Sequence, residues 1–178
     1  LSELERKQAE IEERAGKAAL ALSERRTAAA SVLAEEIITS LRFLDMPKVS
    51  FEVSLGEGNV LNAHGIDEVE FLICTNVGDP LMPLSKIASG GEMSRVMLAL
   101  KTVLVDADDI GTFIFDEIDT GVSGRTARKV GEKMRFLGSK RQILCITHLP
   151  QIAAMADSHF LIQKETADSQ TITHVTPL

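Results

Sequence analysis

The chain has 178 residues, 44% of them hydrophobic and 25% charged, and a formal net charge of -7. That composition suits a globular protein with a sizeable core. The negative charge argues against a basic nucleic-acid-binding patch dominating the surface, while leaving room for one local basic face. With no Trp and no Tyr, stacking on bases has few candidates. No apolar run reaches the ~18 residues of a membrane span, and no signal peptide is visible.

Residues 1 to about 45 read as helix. Leu1, Leu4, Ile11, Ala15, Ala18 and Leu22 stand at heptad a and d spacing with Gln8 in the gap, the pattern of a coiled-coil seam. The pattern breaks at Arg25 and resumes in a new phase through Val32, Leu33, Ile37, Leu41 and Leu44. This second stretch is expected to pack on a globular core. Pro47 ends the helical region. The chain begins at Leu1 inside this pattern, so it is expected to be a piece of something longer.

"KVSFEVSL" alternates as a half-buried strand, "GEGN" (56–59) is a turn candidate, and "VEFLICTN" is a second strand. Asp79-Pro80 and Pro83 supply loop chemistry. From Glu92 the apolar spacing turns helical. "TFIFDE" (112–117) then reads as a buried, parallel strand ending in two carboxylates. A helix follows over "GRTARKVGEKMRFLG", then a second buried strand, "QILCITH", ending in His148. "QIAAMA" is a short helix; "HFLIQK" and "TITHV" are strands. The alternation predicts an α/β fold with a largely parallel sheet. There is no internal repeat and no low-complexity tract.

Ser89 with Glu92 three residues on makes a capping box at a helix start. Gly90 and Gly91 clear side chains from that start, where orphan N–H groups and the helix dipole favour an anion. A plain capped helix after a glycine turn has the same sequence. Asp116 and Glu117 stand at the C-terminal end of a strand, where α/β proteins bind ligands. Asp116 can hold Mg²⁺ and Glu117 can take a proton from water; a solvated acidic pair is the bland alternative. His148 can donate to a phosphate or orient a water, or be merely exposed. "DTG" (119–121) is also the signature of aspartic proteases, but helical spacing flanks it and no second copy exists. Cys145 and His148 lack the further ligands a zinc site needs. Both cysteines, Cys74 and Cys145, read as buried reduced thiols. Seven basic residues, from Arg125 and Arg128 to Lys140 and Arg141, crowd one segment. A solvated helix face is the commoner meaning of such a run.

The order of these signals is more specific than any one of them. "ASGGEMSR" resembles an ABC signature, "TFIFDE" a Walker B strand, "DTG" a D-loop and "ITH" a switch-histidine loop. The longer wording around them, "GIDEVEFLICTNVGDPLMPLSKIASGGEMSRVMLALK", "FDEIDTGVSGRTA" and "ITHLPQIAAMADSHFLIQKE", resembles the RecN family of bacterial DNA repair proteins. These belong with the ATPases of structural maintenance of chromosomes (SMC). The resemblance implies the C-terminal lobe of an ABC-type ATPase head over 46–178, preceded by the end of a coiled-coil arm over 1–45. It implies ATP and Mg²⁺ as ligands. As partners it implies an N-terminal P-loop lobe, a second head in an ATP-dependent dimer, and DNA. The setting it implies is cytoplasmic, bacterial and nucleoid-associated. Ser89, Gly90, Gly91 and Glu92 would contact ATP held by the other head, with Asp119 coupling the two sites. Asp116 would support Mg²⁺, Glu117 would polarise the attacking water, and His148 would sense the γ-phosphate. The sequence departs from the pattern: no Gly-x-x-x-x-Gly-Lys-Ser/Thr occurs in it. "GVSGRT" has the wrong spacing and Arg for Lys. The chain alone is therefore expected not to hydrolyse ATP, and to expose apolar surface where its missing complement would sit.

Overall fold

The computed structural model describes residues 2–87, 89–107, 109–167 and 170–178. By its contacts the chain forms two compact units, Leu1–Ala88 and Ser89–Leu178. The first begins with α1 (Ser2–Phe43), one continuous helix through the change of phase at Arg25. Its first part is solvent-exposed, Leu4 and Ile11 included, whereas Ile37, Leu41 and the following Leu44 are fully buried. The two halves thus differ as their periodicities predict, except at Val32, which was expected on the packed face and is 58% exposed. The helix stops before Pro47 is reached. Asp45 takes the left-handed conformation (φ 66°), its N–H bonds to the Arg42 carbonyl, and the Met46 N–H bonds to that of Leu41. This is a Schellman ending with Asp where Gly is usual.

β1 (Ser50–Asn62) and β2 (Gly65–Cys74) pair antiparallel, and the two-residue β3 (Met82–Pro83) adds to β2. The turn expected at 56–59 lies elsewhere. β1 runs through that segment, with an irregular register after Glu57, and reverses at Ala63-His64. Asn62 Oδ1 accepts the His64 N–H at 2.7 Å, and Gly65 has φ +98°, which suits glycine. That local chemistry, with Asn62 paired to Gly65, outweighs the two glycines upstream. Residues 46–88 thus share a unit with α1, because the hairpin packs against the helix. There the Ser23 hydroxyl donates to Asp67 Oδ1 (2.5 Å) and Arg26 Nη1 to Oδ2 (2.7 Å).

The second unit contains α2 (Gly90–Val103), β4 (Thr112–Phe115), α3 (Gly124–Gly138), β5 (Gln142–Cys145), the single-turn α4 (Pro150–Ala153), β6 (Phe160–Ala167) and β7 (Gln170–Pro177). The α/β class holds. Among the described residues, parallel pairing is confined to β4 and β5, whereas β6 and β7 pair antiparallel. Phe113 and Phe115 face the core with Val96, Leu98, Val130 and Leu137. The other face of β4 and β5 is not covered: Ile114 is 69% exposed and Leu144 49%. The apolar runs read as strands buried on both faces, yet the second unit's own helices cover only one.

Candidate functional site

The sequence-predicted residues converge at one end of the second unit. Ser89 caps α2, its hydroxyl oxygen accepting the Glu92 N–H at 3.4 Å, so the predicted N-terminus is in place. The two glycines serve different neighbours. A Cβ at Gly90 would stand 2.7 Å from Glu117 Oε2, and one at Gly91 would stand 2.5 Å from the Thr120 carbonyl oxygen. Both approaches are within the chain. Ser94 and Arg95, which sequence reasoning did not single out, complete the seam. The Ser94 hydroxyl donates to the Asp116 carbonyl (3.1 Å) and Arg95 Nη1 to that of Thr120 (3.4 Å). Their signal was positional: they follow the glycines by one helical turn.

Beyond β4 the chain bends sharply. Glu117 has φ 57°, a conformation that costs a non-glycine residue about 1–3 kcal/mol. Asp116 Oδ1 accepts the Glu117 N–H at 2.9 Å and helps to hold the bend. Both carboxylates remain exposed. Among the described residues no group of three or more His, Cys, Asp or Glu is arranged to hold a metal ion. Asp116 therefore fits Mg²⁺ only as one ligand among waters and phosphates, which is how that ion is commonly bound.

Asp119 differs from its neighbours. Its residue is only 6% exposed, and Oδ2 accepts from the Thr147 hydroxyl (2.5 Å) and the His148 N–H (2.9 Å), with His148 Nδ1 at 3.1 Å. Burial acts to raise the Asp119 pKa. The bonds from Thr147 and the His148 amide, with the His148 charge, outweigh it and hold the carboxyl below its usual range. Within the chain its Oδ2 fixes the loop that carries His148, whose side chain is 76% exposed. Nothing in the sequence signals this pairing across 29 positions. Nearby, burial and then the charges of Asp119 and Asp116 push the Cys145 thiol up to about 11, so it remains a thiol. The site is thus an exposed pair of carboxylates beside a capped helix start, with an exposed histidine braced by a buried carboxylate.

No family model matches the chain. It is 48% identical over 164 residues to the DNA repair protein RecN of Bacillus subtilis (strain 168), covering 84% of this chain and 28% of that protein. With the RecN of Halalkalibacterium halodurans it shares 47% over 162 residues, covering 89% of this chain and 29% of that protein. The chain thus spans less than a third of the length of the curated relatives it matches. Among solved structures, an SMC head domain with coiled coil and joint from Pyrococcus yayanosii superposes with TM-score 0.58 at 21% identity, covering 86% of this chain and 28% of that one. A second, from work on ATP-driven dimerization and DNA-stimulated activation of SMC ATPases, gives 0.51 at 20% identity and covers 86% of each chain. At such identities the likeness is one of fold, and the fold is that of SMC heads. No described helix is long and apolar enough to cross a membrane.

Proposed function

Because the chain is a relative of the RecN DNA repair proteins along most of its length, we propose that it supplies the signature and the catalytic acid of an SMC-like ATPase head acting in recombinational repair of double-strand breaks. The observation that carries this reading is the placement of Glu117. An exposed carboxylate on a left-handed residue closes a parallel strand directly against Gly90, at the capped start of a helix. The complementary P-loop belongs to a different segment, the N-terminal lobe. Two such heads close over ATP, with DNA as the partner of the assembly. Residues 1–45 serve as the end of a coiled-coil arm and 46–178 as the head lobe, in a cytoplasmic, nucleoid-associated setting.

In this reading Ser89, Gly90, Gly91 and Glu92 present the α2 N-terminus to phosphates held by the opposing head. Asp116 takes one position of the Mg²⁺ shell; bound there, the ion would neutralise phosphate charge. Glu117 accepts the proton of the attacking water as its oxygen bonds to the γ-phosphorus and the bond to ADP breaks. His148 donates to the γ-phosphate. Asp119 sets the position of that histidine and, through it, links nucleotide state to the dimer interface.

The test is ATP hydrolysis by this chain alone and after mixing with a separately made P-loop lobe. Turnover only in the mixture, reduced by about 10²–10⁴-fold by Glu117→Gln, is the expected result. Turnover by the chain alone, or a mixture indifferent to Glu117→Gln, would overturn the assignment. Assembly without any turnover would favour a non-catalytic assembly module.

A further inference from the structure

The charge of this chain is unevenly placed. Residues 124–141 hold seven of its 19 Lys and Arg and one of its 26 Asp and Glu. α3 sorts these charges by face. Thr126, Ala127, Val130, Gly131, Met134 and Leu137 are buried, and Arg125, Arg128, Glu132 and Arg135 are exposed on the opposite side with half-exposed Lys129. The one acid on this face, Glu132, meets Arg128 at 3.1 Å in an exposed i,i+4 pair, a contact worth at most a few tenths of a kcal/mol. Lys133 lies lower on the flank, where burial depresses its pKa. Past the end of the helix, Lys140 is held by Asp106 at 2.7 Å, and Arg141 donates to the Val105 carbonyl at 2.9 Å. The basic face thus ends at Arg135.

A solvated face of ordinary composition mixes both signs; this one collects four cations against one acid on a chain of net charge -7. Chance segregation of that degree is also costly, since like charges at i,i+3 and i,i+4 repel. We infer that the outer face of α3, through Arg125, Arg128, Lys129 and Arg135, is a docking surface for the phosphodiester backbone of DNA. Three of the four are Arg, whose planar fork suits phosphate oxygens. The helix rises 1.5 Å per residue, so from Arg125 to Arg135 the cations span roughly 15 Å, the axial rise of about four phosphates of one strand. Such contacts position the duplex without reading sequence. The choice of DNA rests on the proposed function; the face itself does not.

The test compares two triple variants of the full 178-residue chain with equal change in net charge. One is Arg125→Gln/Arg128→Gln/Arg135→Gln. The control is Arg6→Gln/Lys7→Gln/Lys17→Gln, which removes three exposed cations of α1. Binding to a fluorescent 30-base-pair duplex is followed by anisotropy from 25 to 200 mM salt. The expected result is that the α3 variant binds at least tenfold more weakly at low salt and loses roughly 2.7 from the log–log salt slope, at 0.9 per phosphate contact, while the control is little changed. Equal losses in both variants would mean net charge alone, and overturn the inference. So would failure of the unmutated chain to bind, or light scattering that traces the salt dependence to self-association through this face. ATP turnover in the mixed-lobe assay tests the proposed function separately, and either result can fail without the other.

Discussion

Adding one methyl group at each of the two adjacent glycines separates two reasons for having glycine. At Gly91 the new Cβ would lie 2.5 Å from the Thr120 carbonyl oxygen and 3.2 Å from Thr120 Cβ. Real Cβ atoms do not come that close to a backbone oxygen, and Thr120 sits in a loop tied down by Arg95. Relief requires backbone movement, an overpacking cost of about 1–3 kcal/mol. Alanine's helix propensity returns at most about 1 kcal/mol, less in the first turn. The net loss of about 1–2 kcal/mol corresponds to about 2–8 °C in Tm for a chain of this size. At Gly90 the clash is with Glu117 Oε2, 2.7 Å away, the tip of an exposed, flexible side chain. A rotamer change of about 1 kcal/mol or less relieves it, and propensity offsets that. Thermal melts of Gly91→Ala and Gly90→Ala, followed by circular dichroism, should therefore show a lowered Tm for the first and a shift within about 2 °C for the second. A Gly91→Ala chain as stable as the parent would refute the close-packed seam between α2 and the Thr120 loop. Gly90→Ala should instead displace the Glu117 carboxylate, lowering turnover in the mixed-lobe assay without a loss of stability.

Hydrogen bonds from Ser23 and Arg26 hold the Asp67 carboxyl below its usual range against the effect of burial. Its contribution to stability is therefore complete above the unfolded value and fades as pH falls through the depressed one. Asp67→Asn should melt lower than the parent at neutral pH, with the gap closing below about pH 4; a gap constant with pH would contradict the ion pair. Asp119→Ala should speed hydrogen exchange at the His148 amide by about tenfold or more, since it removes a charged acceptor worth about 1.5–3 kcal/mol, while amides of buried α3 residues stay protected. Unchanged exchange at His148 would show that the carboxylate does not brace that loop.

Much of this was legible from residue spacing, because the signals are local. The cap at Ser89 needs only a hydroxyl and a helix start. The long helix and its change from an exposed to a buried half follow from where leucine and isoleucine recur. Elements set by distant partners were less legible. "GEGN" has turn chemistry, but pairing to β2 carries β1 through it. The apolar runs of β4 and β5 describe strands made to be covered twice, and spacing cannot tell where the second cover comes from. Asp119 stands among polar loop residues, and only the return of Thr147 and His148 buries it. For Ser89, Asp116, Glu117 and His148 the residues offered a functional role beside a bland one, and the resemblance chose between them. The geometry adds that Gly91 is required by this chain's own Thr120, and that Gly90 leaves room for the Glu117 carboxylate, before any ligand is considered.

The contact of Ser23 and Arg26 with Asp67 gives α1 the mechanics of a lever with a clamped root. Ser2 to Arg14 are exposed throughout, a free length of roughly 20 Å at 1.5 Å per residue. A swing of the outer end is resisted at the latch rather than absorbed by fraying along the rod, because the helix is continuous from Ser2 to Phe43. A tilt of about 10° would carry the tip about 3.5 Å over that length, and the same torque would bear on the β1–β2 hairpin through Asp67 and through the packing of Leu22 beside Gly65. Removing the Asp67 link would take away the polar tie near the root of the rod while leaving the packing of the helix on the hairpin in place.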